Sequence, residues 1–242
     1  MTINPFSNSS IATQDLGKLR RKQYIALVQK RVRPGSGSSL AWMQSRTWAY
    51  PVADLNRIIR ETAFVVVGGV ATRLYMPERM TLDIGILVFS QDAPGLYREL
   101  NQASGKKIGL LTIGGSSWQL ADGTVLDVIE SSEAWVTQAV QNPNLDPTGL
   151  PIIALPYLVL MKLQASRAQD IADLSRMLGG ADEELLGQVR TVVKTYMDDA
   201  AEDLESLITV GSRILNGTKE LKAYPTKDRA NALEDNGQGS LK

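Results

Sequence analysis

Four apolar residues, Phe64-Val65-Val66-Val67, run straight into Gly68-Gly69, and a second apolar run from Thr81 to Phe89 carries one acid, Asp83. No other stretch limits the possible folds of this chain as strongly. A short continuous apolar run is the pattern of a strand buried on both faces. The glycine pair lets the backbone turn sharply into a helix, predicted over Val70–Tyr75 and stopped by Pro77. A carboxylate inside the next apolar strand is costly unless it is paired or binds a cation. The same arrangement recurs in Val125-Leu126-Asp127-Val128-Ile129, again one acid in an apolar strand.

Strand, Gly-Gly, helix is a way to hold a phosphate, because N–H groups at the helix start point at the anion with the helix dipole behind them. A glycine pair after a strand is, taken alone, more often just a tight turn. Asp83 has its own plain reading, a carboxylate at the wet end of the strand paired with Arg79. If the two acid-bearing strands are neighbours, Asp83 and Asp127 can meet over one magnesium ion, with substrate phosphates completing its shell. The chain has no cysteine and no histidine. Thiol nucleophiles, disulfides, zinc knuckles and serine–histidine triads are therefore excluded. Any metal chemistry rests on carboxylate oxygens, which select magnesium, manganese or calcium.

The remaining elements follow from periodicity and turn residues. Helix is predicted over Ile11–Arg33, then a flexible linker at Pro34-Gly35-Ser36-Gly37-Ser38-Ser39, an irregular apolar segment over Leu40–Tyr50, and a short helix over Val52–Arg60. After the second strand come a helix over Gln91–Ala103, a strand over Ile108–Ile113 and a hairpin. The hairpin joins Trp118–Leu120 to Thr124–Ile129 through Asp122-Gly123. Beyond Pro156 the spacing is helical throughout, over Tyr157–Ala165, Gln169–Leu178, Glu183–Tyr196 and Ala200–Leu215. From Asn216 the chain is polar and expected to fray. The expected class is α+β, a small mixed sheet flanked by helices with a helical bundle on its C-terminal side. The expected division is 1–50 as a basic helix and linker, 51–155 as the α/β core, 156–216 as the helical region and 217–242 as a flexible tail.

Formal charge balances at 26 basic and 26 acidic side chains, but the distribution is uneven. Residues 1–50 hold eight Lys or Arg against the single acid Asp15, so the rest of the chain carries about −7. A basic arm on an acidic body can touch nucleic acid, dock on its own body or dock on a second subunit. Docking is favoured, because no aromatic-and-basic alternation suited to stacking bases accompanies it. No run of about 18 apolar residues predicts a membrane span. The first ten residues carry no signal pattern, and a cytoplasmic location is the default expectation.

Gly68-Gly69, a spacer of thirteen residues, Asp83-Ile84-x-Ile86 and the later acid Asp127 together resemble the nucleotidyltransferase (DNA polymerase β-like) superfamily. Within it the sequence is most similar to the bacterial group that includes the AbiEii-type toxins and related small nucleotidyltransferases. Val66-Val67-Gly68-Gly69-Val70-Ala71-Thr72-Arg73 and Arg79-x-Thr81-x-Asp83-Ile84 follow that group's first motif. Lys162-Leu163-Gln164-Ala165, Arg167 and Gln169-Asp170-Ile171-Ala172-Asp173-Leu174 follow its helical one. The resemblance covers roughly residues 52–178. It implies that Gly68 and Gly69 cradle a nucleoside triphosphate and that Asp83 and Asp127 are catalytic ligands of Mg2+ or Mn2+. It also implies that Arg79 and Lys162 contact phosphate charge, and that Asp170 orients Lys162 or the base side of the pocket. Read without the resemblance, Lys162 is a solvated helix residue, and Asp170 and Asp173 pair locally with Arg167 or Arg176.

The family pattern is Asp-x-Asp, and here position 85 is Gly. Two-metal phosphoryl transfer holds its cations about 3.5–4 Å apart, and with two carboxylates the second ion loses a ligand. Glu78 could substitute only if the Pro77 loop folds inward. The chain is then a nucleotide-binding pseudoenzyme, a weak enzyme with water or Glu78 in the vacancy, or an engineered knockout. Two functions follow. One is transfer of a nucleotidyl group to a hydroxyl on RNA or protein. The other is nucleotide or partner binding without transfer. An antitoxin-like protein partner and a toxin–antitoxin context follow from the resemblance alone. A homo-oligomer through the N-terminal helix is a further possibility that the Gly-Ser linker allows.

Overall fold

The computed structural model describes residues 7–31, 54–76, 81, 83–146 and 148–222. Its elements, in chain order, begin with the long helix α1 (Ser7–Arg31) and the one-turn helix α2 (Leu55–Ile58). Strand β1 (Val65–Val67) runs directly into α3 (Gly68–Tyr75), followed by β2 (Ile84–Phe89) and α4 (Ala93–Gln102). Strands β3 (Lys106–Leu110), β4 (Gly115–Gln119) and β5 (Val125–Ser131) form a meander. Helix α5 (Ala134–Gln141) and the short strands β6 (Asn144–Leu145) and β7 (Pro151–Ile152) follow. The rest is helical: α6 (Leu155–Ala165), α7 (Ala168–Gly180), α8 (Glu183–Tyr196), a 3-10 turn (Asp198–Ala200) and α9 (Ala201–Lys222).

Among the described residues seven strands form one mixed sheet in the order β3-β4-β5-β2-β1-β7-β6. β2 lies at the centre, antiparallel to β1 and parallel to β5. Val65, Val66 and Val67 are all fully buried, as their unbroken apolar run requires. One face of the sheet is covered by α4. Tyr97 stacks on Trp118 at 5.3 Å between ring centroids, and Ser116 Oγ donates to the Tyr97 hydroxyl at 2.9 Å. Ser116 and Trp118 share one face of β4, so Ser117 points to the other. Glu99 of α4 pins the chain entering β1, accepting the backbone N–H groups of Arg60, Glu61 and Thr62 at 2.5, 2.9 and 3.0 Å.

Beyond β7 only helices occur among the described residues, and α1 packs against α9, α7 and α6. The basic N-terminal helix thus docks on its own body. Ile25 is buried, and Arg21 and Lys18 face acids of the 3-10 turn and α9.

The α+β class and the helical C-terminal side are those the sequence predicts, while several boundaries differ. The strand predicted from Thr81 begins at Ile84, and the one predicted over Ile108–Ile113 lies at Lys106–Leu110. Helix α3 starts at Gly68 rather than Val70. Helix α6 includes Pro156 in its first turn, where a missing N–H costs nothing. Helix α9 continues through Asn216 to Lys222, past the predicted fraying point. Helix α5 and strands β6 and β7 have no counterpart in the sequence reading. The Gly-Ser linker, the segment over residues 40–50 and the tail from 223 lie outside the described residues. Among the described residues, no helix is long and apolar enough to cross a membrane.

Candidate functional site

At the C-terminal end of β1 the chain turns on Gly68, whose φ of +67° is a conformation that L side chains rarely adopt. Among the described residues, a Cβ added there would meet nothing within 4 Å. Gly69 is the opposite case. A Cβ there would lie 2.6 Å from both Cβ and Oγ1 of Thr81, so the threonine fills the hollow that the glycine leaves. The Thr81 hydroxyl then donates to Asp83 Oδ1 at 2.6 Å. The glycine turn, Thr81 and Asp83 form one contact chain. Inside the turn, Thr72 Oγ1 caps the carbonyl of Gly68 at 2.8 Å.

Asp83 immediately precedes β2, and Asp127 lies within β5, the parallel neighbour of β2. Gly85 pairs with Asp127 in this register, and Ser117 of β4 faces Asp127 from the far side. Alternation along a strand puts Asp83 and Gly85 on the same face as Asp127 and Ser117. That face is the one opposite α4. With a strand spacing of about 4.8 Å and a rise of about 3.3 Å per residue, the Asp83 and Asp127 α-carbons are roughly 8 Å apart. Two aspartate side chains can converge over that gap.

The donor set suits one hard divalent cation. Asp127 accepts from Ser117 Oγ at 2.5 Å through Oδ1, and Asp83 uses its own Oδ1 for Thr81. Each carboxylate thus has one oxygen committed to a hydroxyl, with the second bonded to no group among the described residues. Among those residues no cluster of three or more metal-ligating side chains occurs, so any cation here needs oxygens from its substrate or from water.

Lys162 belongs to a different environment from the one its assigned role implies. It is 6% exposed, and its Nζ donates to Asp170 Oδ1 at 3.1 Å and Asp173 Oδ2 at 2.8 Å. Asp170 and Asp173 are themselves buried, one turn apart on α7. The solvated reading of Lys162 therefore fails, and its pairing with Asp170 is direct. Its cationic charge is already met by two acids.

Arg167, at the start of α7, is the residue the sequence reading passed over as a mere local partner. Its Nε and Nη2 bond Asp170 at 2.6 and 3.3 Å, yet the side chain is 73% exposed. The hydrogen bond to Asp170 raises the guanidinium pKa, burial opposes this, and the charges of Asp170, Asp173 and Asp83 raise it further. Helices α6 and α7 both pack against α3, the helix that the glycine turn begins. The signal was available in the sequence, since Arg167 lies between Lys162 and Asp170 in the same motif. The assigned Arg79 and the substitute acid Glu78 both lie outside the described residues.

No protein-family model matches the chain, and no curated protein matches it by sequence. Among solved structures it is similar to the antibiotic-resistance factor ANT(2'')-Ia in its solution structure. There the identity is 14% and the TM-score 0.36, with 73% of this chain and 88% of that one covered. It is also similar to the crystal structure of ANT(2'')-Ia in complex with adenylyl-2''-tobramycin. In that case the identity is 17% and the TM-score 0.34, with 64% of this chain and 90% of that one covered. Both likenesses are distant, and neither gives this chain an activity.

Proposed function

We propose that the chain binds a nucleoside triphosphate together with one Mg2+ or Mn2+ at the corner formed by β1, α3, β2 and β5. One observation carries this reading: Asp83 and Asp127 share a sheet face beside a glycine turn whose Gly68 has no described atom within 4 Å of an added Cβ. Gly68 and Gly69 offer backbone N–H groups at the start of α3 to the phosphates. Asp83 and Asp127 would hold the cation through their uncommitted oxygens. When bound, the ion would neutralise triphosphate charge and polarise the phosphoryl group under attack. Arg167 supplies exposed positive charge at the pocket edge. Lys162 acts from beneath, holding Asp170 and through it the Arg167 fork.

Transfer of a nucleotidyl group to a hydroxyl of RNA or protein is the activity this site would support. A second reading, binding without transfer, is favoured by Gly85, which puts no carboxylate opposite Asp127. Calorimetry with each nucleoside triphosphate and MgCl2 tests the shared claim. Binding that disappears in Asp83→Asn and Asp127→Asn is the expected result, and no binding at millimolar nucleotide overturns it. Labelled nucleotides with RNA and protein acceptors then separate the readings. Transfer by the natural chain supports the enzyme. Transfer only after Gly85→Asp supports the binding module.

A further inference from the structure

Arg21 of α1 is 1% exposed, which leaves its charge dependent on partners inside the protein. Its Nε donates to Asp203 Oδ2 of α9 at 2.6 Å, and Nη2 faces Asp199 Oδ2 at 3.4 Å. The remaining arm of the fork, Nη1, reaches the Leu163 carbonyl at 3.4 Å and Ser166 Oγ at 3.5 Å. Ser166 is the hinge of the α6–α7 corner. It adopts the left-handed conformation at φ +50°, is fully buried, and donates its hydroxyl to the same Leu163 carbonyl. Its N–H closes the last turn of α6 on the Lys162 carbonyl at 3.0 Å. The next residue is Arg167.

We propose that Arg21 is a positioning residue: through its guanidinium fork the N-terminal helix holds the α6–α7 corner, and with it Arg167 and the Lys162–Asp170 pair, against the helix that the glycine turn begins. The corner's left-handed residue is thereby braced from outside its own two helices. Arginine suits the task because one planar group reaches a carboxylate on one side and a carbonyl and hydroxyl on the other. Lysine in its place keeps the charge for Asp203 and loses the second reach. The effect on nucleotide rests on the function proposed above, whereas the effect on the corner does not.

The test uses the full chain with Arg21→Lys, and Leu100→Ala as a core variant on the sheet face away from the site. Hydrogen exchange at the Ser166 and Ile171 amides reads the corner without any ligand. Calorimetry with MgATP, or whichever triphosphate binds the natural chain, reads the pocket. Arg21→Lys is expected to speed exchange at both amides at least tenfold and weaken binding at least fivefold. Leu100→Ala should lower the melting temperature yet leave both readouts within twofold. Unchanged exchange in Arg21→Lys overturns the proposal, as does equal weakening of binding in both variants. If the natural chain binds no triphosphate, the function proposed for the site fails, and exchange at the two amides alone decides the role of Arg21.

Discussion

Gly85 of β2 stands opposite Asp127 of β5 in the parallel register, with Val67 of β1 flanking it on the other side. A Cβ at Gly85 would lie 3.3 Å from Cγ2 of the buried Val67, which must give by a few tenths of an ångström to admit it. With Val67 so displaced, Gly85→Asp sets a third carboxylate facing Asp127. Without a cation, the added like charge is expected to cost about 1 kcal/mol. With Mn2+ the variant should recover and exceed the natural chain, binding the ion about tenfold tighter, or roughly 1.4 kcal/mol. Melting temperatures recorded with and without Mn2+ check this, and a variant insensitive to the ion would contradict it.

Gly68 and Gly69 should fail for different reasons. Gly68→Ala meets no atom of the described residues but holds a left-handed backbone, so a loss of about 1–2 kcal/mol is expected. Gly69→Ala must displace Thr81, and with it the hydroxyl that supports Asp83. Its cost is expected at about 1–3 kcal/mol from overpacking, with a larger loss of divalent-ion binding than Gly68→Ala causes. Urea midpoints paired with Mn2+ titrations separate the two.

Lys162→Met leaves Asp170 and Asp173 buried with one cation fewer, which should destabilise the chain by about 3–5 kcal/mol. Combining it with Asp173→Leu removes one of the two buried carboxylates that Lys162 neutralises. The double variant is expected to be more stable than Lys162→Met alone, a non-additivity that equilibrium unfolding in urea reads directly.

Burial raises the Glu99 pKa, but hydrogen bonds from Thr62 and from the backbone N–H groups of Arg60, Glu61 and Thr62 outweigh it, leaving a net lowered value. A carboxylate lowered in the folded state contributes stability that is present above its unfolded value and lost as pH falls through the folded one. Glu99→Gln should therefore cost about 1–2 kcal/mol at neutral pH. The gap to the natural chain should close only as the solution is acidified below the usual glutamate range. Unfolding curves from pH 7 down to pH 3 check the sign, and a gap that widens on acidification would refute it.

The strand-turn-helix at Val65–Tyr75 and the acids Asp83 and Asp127 were legible because an isolated charge in an apolar run is conspicuous. The neighbouring of β2 and β5 was legible only as a condition, since strand order is a long-range property that no local pattern encodes. Strands β6 and β7 are two residues each, too short for any period to register. The state of Lys162 could not be read either. Its place on α6 is visible from spacing, but its burial depends on how α7 packs, which brings Asp170 and Asp173 over it. The docking of α1 was readable as charge asymmetry, whereas the burial of Arg21 within that contact was not.

The parallel pairing of β2 with β5 has a consequence for the order in which the protein takes shape. A parallel pair cannot close through a tight hairpin, so bringing Gly85 to Asp127 must close a connection of about forty residues that contains α4, β3 and β4. The glycine turn and β2 are local and can assemble early, with Asp83 already in place. The second carboxylate arrives late, after the slow, non-local part of folding. A chain emerging from the ribosome therefore carries the glycine turn and Asp83 before Asp127 can stand beside them, and the pairing of the two acids waits for the finished sheet.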